Sequence, residues 1–392
     1  MNLELYVSYI TELISSFLKN ENIKPLPSGI DINYFFSFCK FHRLENIVYL
    51  ALKNTDIPKE LRSLFEKSYF VSINHMAKQQ YYMEKVEKAF EDAGIDYFVM
   101  KGKELSGLYP SEDMRISSDF DMYIGNEKAE LARDIMVNLG FTIKDYMDDD
   151  GHDQYVIDKT ILCELHRVLI QSDFPWKNEC NNIAERVIKC EGNNHRYKMR
   201  IEDFYIYNLA HAANHIKTAG VGIRIYTDLW LIYTKYQDTF DYSYLNEKLR
   251  LANLTRFEEC SRELYLYWFE GKTPIDSTVM AMAIFVAQSG WMGTYNQYSS
   301  AKLAQDAKDN SSSTATKIKS YLDIIFPTYK NLVKRYPNAK KHKVLIPFYY
   351  IYRIFKSVFG KDKGAKRVIN EITAGDLEKG KYILRLKKDM GL

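Results

Sequence analysis

Two aspartates flank one phenylalanine in "MRISSDFDMYI" (residues 114–124), where an apolar strand begins. Side chains two apart in a strand share a face, so Asp119 and Asp121 converge while Phe120 turns to the core. A carboxylate entering a core costs several kcal/mol unless it is paired or bound to a cation. The spacing therefore predicts a divalent-cation site for magnesium or manganese, of the kind that stabilises a phosphoryl displacement. Glu164 in "CELHRVL" is the candidate third carboxylate, with His166 on the same face two residues later. Arg115 could reach phosphate oxygens as a fork donor, and Ser118 stands beside the first aspartate. Upstream, Lys101 and Gly102 end a predicted strand; the glycine lets the backbone approach a phosphate, and the lysine adds a charge.

These residues need a scaffold. Apolar positions recur at three and four residues over 2–19, 31–53 and 58–93, which predicts a helical subdomain over 1–93. After "DAG" the period changes. Residues 97–100 read as a buried strand, 103–109 as a short helix, 120–124 as a strand and 126–139 as an amphipathic helix closed by Gly140. "QYVID" (154–158) and 160–169 are two further strands, giving a small α/β core over 94–200. The helical period returns from Ile201 to about Tyr236 and through 241–305, so 201–392 reads as a second helical subdomain with a basic tail. Residues 306–317 read as a polar linker. The expected class is α+β and mostly helical, with the α/β core flanked by helices on both sides.

Composition narrows the class. The chain has 392 residues, 46% apolar and 27% charged, enough for a large core. Five scattered cysteines without a C-x-x-C pair indicate neither a disulfide framework nor a zinc site. Glu4 and Glu12 interrupt the apolar pattern of the first helix, unlike a signal peptide, and no stretch of about 18 apolar residues offers a transmembrane segment. A cytoplasmic protein is expected. From Lys334 onward 16 Lys/Arg stand against 5 Asp/Glu, and "VLIPFYYIYRIFKSVFG" (344–360) lies between lysines including Lys340, Lys341 and Lys343. That end offers a weak contact to an anionic surface, lipid or nucleic acid, beside the simpler reading of a packed helix with solvated lysines.

The segment "YFVMKGKELSGLYPSEDMRISSDFDMYI", with "ELH" at 164–166 and "LAHAANHIKTAGVGIRIYTDLWLI" at 209–232, resembles the uncharacterised nucleotidyltransferase family of the DNA-polymerase-beta-like superfamily. The resemblance extends over most of the chain. It implies that Asp119, Asp121 and Glu164 are the acidic metal and catalytic positions and that Lys101-Gly102 is the phosphate-side turn. It also brings His211, His215, Arg224 and Asp228 to the cleft. Each has a plainer reading: "HAANH" lacks the glutamate of a metalloprotease motif, Arg224 and Asp228 at i, i+4 suit a helix ion pair, and His166 suits a hydrogen-bonded core histidine. The sequence departs from the superfamily at Lys103, where a small residue usually follows the glycine, and at Glu164, where aspartate is commoner.

The expected function is metal-dependent transfer of a nucleoside monophosphate from a nucleoside triphosphate to a hydroxyl. The acceptor stays open among small molecule, glycan, protein and nucleic acid. Two alternatives stand beside it. One is a non-catalytic nucleotide-binding or interaction protein with a degenerate site; the other is a D-x-D glycosyltransferase, which needs alternating strands and helices ahead of the motif.

Overall fold

The three-and-four spacing of the first 93 residues builds four helices in the computed structural model, which describes residues 2–146, 151–171, 173–308 and 375–392, with 329, 332, 344 and 346–351 besides. They are α1 (Leu3–Leu18), α2 (Ile32–Phe41), α3 (Glu45–Leu52) and α4 (Lys59–Asp92). The single period expected over 31–53 is two helices. Arg43 adopts a left-handed φ of 58°, and the Leu44 N–H bonds back to the Cys39 carbonyl at 2.9 Å, a C-terminal stop made without glycine. The Arg43 guanidinium lies 4.3 Å from the centre of the Trp291 ring, which holds this unusual residue in place.

A seven-stranded mixed sheet follows, in the order β3-β4-β5-β2-β1-β7-β6. Its strands are β1 (Tyr97–Val99), β2 (Asp119–Tyr123), β3 (Thr142–Asp145), β4 (His152–Ile157), β5 (Ile161–His166), β6 (Ile188–Lys189) and β7 (Arg196–Lys198). Central β2 runs antiparallel to β1 and parallel to β5. Asp158 and Lys159 both take positive φ between β4 and β5, as a tight primed hairpin turn requires. Short helices α5 (Gly102–Ser106) and α7 (Lys177–Asn181) and the longer α6 (Ala129–Asn138) complete this region. One face of the sheet is apolar: Phe120, Met122, Tyr155, Cys163 and Leu165 pack on Met83, Val86 and Phe90 of α4 and Met136 of α6. The polar side chains of β2 and β5 must then point to the opposite face.

Ahead of β1 the described residues form helices and connecting loops with no strand, so the alternating strands and helices of a nucleotide-sugar-binding half are not found among them. Beyond the sheet come α8 (Ile201–Thr218), α9 (Ile223–Tyr236), α10 (Tyr242–Leu251), α11 (Thr255–Glu270) and α12 (Ser277–Ser289). Residues 1–217, 221–291 and 390–392 form one compact unit, and 218–220 with 292–389 form another. In the second, α13 (Tyr295–Lys308) packs on α14 (Leu377–Asp389), where a Cβ on Gly380 would fall 1.9 Å from the Ser300 carbonyl oxygen. Lys340, Lys341, Lys343 and most of 344–360 lie outside the described residues. No helix among the described residues is long and apolar enough to cross a membrane.

Within the first unit, His42 is fully buried between the Ala287 carbonyl, 3.1 Å from Nε2, and the Ile223 N–H, which donates to Nδ1 at 3.2 Å. One nitrogen donates and the other accepts, so the neutral ring fits and a second ring proton would face the Ile223 N–H. Burial takes its pKa down to about 3, against the opposing pull of the Ala287 carbonyl. The folded value lies below the unfolded ~6.5, so stability is complete above pH ~6.5 and declines as pH falls toward the folded value, by ~1.4 kcal/mol per pH unit. Urea unfolding at pH 7 and pH 5 should show this group contributing about 2 kcal/mol to the difference. The His42→Gln variant is expected to have the shallower pH dependence, and equal slopes would remove His42 from the acid response.

Candidate active site

Alternation along β2 and β5 aims Asp119, Asp121, Glu164 and His166 at the face away from α4. The parallel register sets Asp121 directly beside Glu164 and Tyr123 beside His166. The imidazole reaches back across the strands, and its Nε2–H donates to Asp121 Oδ1 at 3.0 Å. Glu164 Oε2 lies 3.7 Å from the same nitrogen, while Glu164 Oε1 accepts from Gln154 Nε2 at 2.8 Å. Asp121, Glu164 and His166 each offer one ligand atom, and all three atoms lie within 4.8 Å of one another.

The Lys101–Gly102 turn closes the other side. Lys101 Nζ stands 3.6 Å from Asp121 Oδ2, and its side chain is 18% exposed. Gly102 has φ +41°, a backbone conformation that residues other than glycine rarely adopt, so the turn favours glycine. The Ser118 hydroxyl donates to Asp119 Oδ1 at 3.3 Å. Helix α8 brings the buried Tyr207 hydroxyl to Lys101.

The carboxyl groups of β2 titrate apart. Burial, then the Asp121 charge, pushes Asp119 up to about 6. Burial also opposes ionisation of Asp121, but Lys101 and the His166 N–H outweigh it and hold this group well below the usual carboxylate range. Lys101 is raised in turn, because Asp121, Tyr207, Asp119 and Glu164 together overcome its desolvation. His166 moves up as well, its hydrogen bonds to Asp121 and Glu164 exceeding the cost of burial. One lysine thus compensates Asp121 and leaves Asp119 with too little positive charge nearby. Hard oxygen donors, one imidazole and an under-compensated carboxylate fit a divalent cation.

Arg115 stands beside the turn, its Nη1 3.5 Å from the Gly102 carbonyl oxygen, but its charge is taken up by another partner. Its fork grips Asp228 of α9, Nε to Oδ1 at 2.8 Å and Nη2 to Oδ2 at 2.9 Å, and Tyr109 donates to the same carboxylate at 2.8 Å. Arg115 and Asp228 are both buried. A guanidinium held this way has no fork left for a phosphate, and the expected Arg224–Asp228 pair within α9 gives way to it. Arg224 instead donates from Nη1 to the Ile116 carbonyl, and its Nε is buried without a partner. Desolvation and the nearby Arg115 take Arg224 down to about 10. His211 and His215 meet through their Nε2 atoms at 3.1 Å, with rings 4.5 Å apart and edge-on. Burial lowers both, His215 to about 4, so they form a neutral hydrogen-bonded pair.

The sequence reading missed His152 and Gln154. They pair in register with His166 and Glu164 and extend the polar face onto β4, where His152 stacks on His166 at 5.2 Å. Their own i, i+2 spacing was the available signal.

A mixed sheet carries paired carboxylates on its central strand beside a Lys-Gly turn, with a Glu-x-His strand in parallel register, the arrangement that the resemblance to nucleotidyltransferases leads one to expect. The chain belongs to the uncharacterised nucleotidyltransferase family, with the match running over residues 28–270. No curated protein and no solved structure matches it.

Proposed function

We propose that the protein transfers a nucleoside monophosphate from a nucleoside triphosphate to a hydroxyl acceptor with the help of a divalent cation, magnesium or manganese. The observation that carries this reading is the convergence of Asp119, Asp121, Glu164 and His166 beside Lys101 in a chain of this family. In the reaction the acceptor oxygen forms a bond to the α-phosphorus as the bond to pyrophosphate breaks. A bound cation would neutralise charge on the phosphates. Asp119, Asp121 and Glu164 would hold it, and Lys101 would turn from Asp121 to the outer phosphates once the carboxylates have another counter-charge. Glu164 would also draw the proton from the attacking hydroxyl.

The test is a cell extract incubated with the protein, magnesium or manganese, and triphosphates labelled at the α-phosphate. Label should move to an extract component with stoichiometric pyrophosphate release. Binding of triphosphate without label transfer or pyrophosphate would favour a non-catalytic nucleotide-binding protein, a reading that the Lys101 ammonium, seated on Asp121 where the cation would lie, supports.

A second measurement bears on Lys101 alone. Losing a charge-assisted contact costs ~1.5–3 kcal/mol, so Lys101→Ala should raise the Kd for triphosphate by about tenfold or more. Calorimetry should find a smaller loss for the monophosphate. Equal losses would take Lys101 off the outer phosphates.

A further inference from the structure

Between α4 and the turn that leads into β2 lies a cavity of about 250 Å³ that the site residues do not fill. One end is bounded by Gly102, Ser117, Asp119 and Asp121, so it lies against the turn and the strand that carry the site. The other end is a wall of α4 side chains, Ile73, Met76, Ala77 and Met83. Gln79 interrupts that wall. It is 8% exposed, it lines the cavity, and its Nε2 is buried with no hydrogen-bond partner. A buried amide N–H left unpaired costs about 1–3 kcal/mol, so a ligand that accepts from it recovers that loss on binding. The cavity is not a cationic pocket for phosphate: Glu112 and Asp113 line it against Lys103, and Arg115 is already paired with Asp228.

We infer that this cavity receives the base of the nucleoside triphosphate and that Gln79 reads the base edge, an inference resting on the nucleotidyltransferase reading above. A base offers apolar faces to Met76 and Met83 and a polar rim to one amide, which is the combination the cavity presents. Phosphates held at Asp119 and Asp121 leave the base to extend toward the α4 end. The amide, with a donor and an acceptor side by side, matches a Watson–Crick edge on which a ring nitrogen accepts next to a donating amino group, as in adenine and cytosine. A triphosphate of an amino base, adenosine or cytidine, is therefore the expected donor.

The experiment compares binding of the four ribonucleoside triphosphates and of inorganic tripolyphosphate, with magnesium, to the full chain and to Gln79→Leu and Ala77→Phe, each first checked for an unchanged melting temperature. The native protein should bind adenosine and cytidine triphosphates at least tenfold more tightly than guanosine and uridine triphosphates. Gln79→Leu should bring the four within about threefold of one another. Ala77→Phe, which fills the cavity, should weaken every nucleotide at least tenfold and leave tripolyphosphate unchanged. Native binding that does not distinguish the bases, or variants with native nucleotide affinity, would overturn the inference while leaving the nucleotidyltransferase reading intact. So would an Ala77→Phe protein that binds nucleotide normally yet fails in transfer, which would make the cavity the acceptor's. If neither nucleotide nor tripolyphosphate binds, the functional reading falls and takes the inference with it.

Discussion

Asp119→Asn should lower metal-dependent nucleotide turnover by at least ~10²-fold while raising the melting temperature at neutral pH. The rate loss is the scale expected when a fixed electrostatic stabiliser is deleted. The gain in stability follows from the titration of this carboxyl. Burial and the Asp121 charge push it up to about 6, so its ionised form is a cost to the fold at neutral pH, and an amide, which resembles the protonated form, removes that cost. Asp121→Asn should lose turnover to a similar extent and also lose stability, because Lys101 and His166 then stand buried without the carboxylate they share. Steady-state turnover and thermal melting of the two variants read both effects. Wild-type turnover in both would put the site elsewhere. Equal stability losses would contradict the charge balance derived for the pair.

The site was legible where its logic is local. D-x-D and E-x-H each announce a strand face by their own spacing, and a period-two argument needs no knowledge of the partner strand. His152 and Gln154 follow the same rule, but His152 precedes the strand start that the apolar pattern suggested, and only the β4–β5 register reveals what they face. Edge strands escaped for the opposite reason. β3 is nearly all exposed and β6 has two exposed residues, so neither carries the buried alternation by which a strand is recognised. The split between α2 and α3 was hidden because it rests on an arginine in a left-handed conformation, where a glycine would have marked it. What spacing cannot give is a partner far along the chain, and Arg115 is the plainest case: four residues before Asp119 it reads as part of the site, yet its counter-ion lies 113 positions on.

That pair sets the other large effect. Asp228→Ala should destabilise the protein by ~3–5 kcal/mol, the cost of leaving a buried guanidinium without its counter-charge. The carboxylate accepts from Arg115 Nε and Nη2 and from the Tyr109 hydroxyl, and both members of the ion pair are at most 6% exposed, so water cannot replace what is lost. Arg115→Met should cost a comparable amount, since Asp228 would then be the uncompensated charge. Removing both charges together is a different perturbation. A buried pair replaced by apolar groups of similar volume is often close to neutral, so Arg115→Met with Asp228→Leu should recover most of the loss of either single change. Tyr109 will hold back part of that recovery, because its hydroxyl loses an acceptor in the double variant. Chemical denaturation of the four proteins closes the cycle and gives the coupling directly. Nucleotide affinity separates this structural role from the phosphate contact that the sequence position of Arg115 suggests. If Arg115→Met melts like the native protein and loses triphosphate binding instead, the guanidinium leaves Asp228 when substrate arrives, and the pair is a latch rather than a brace.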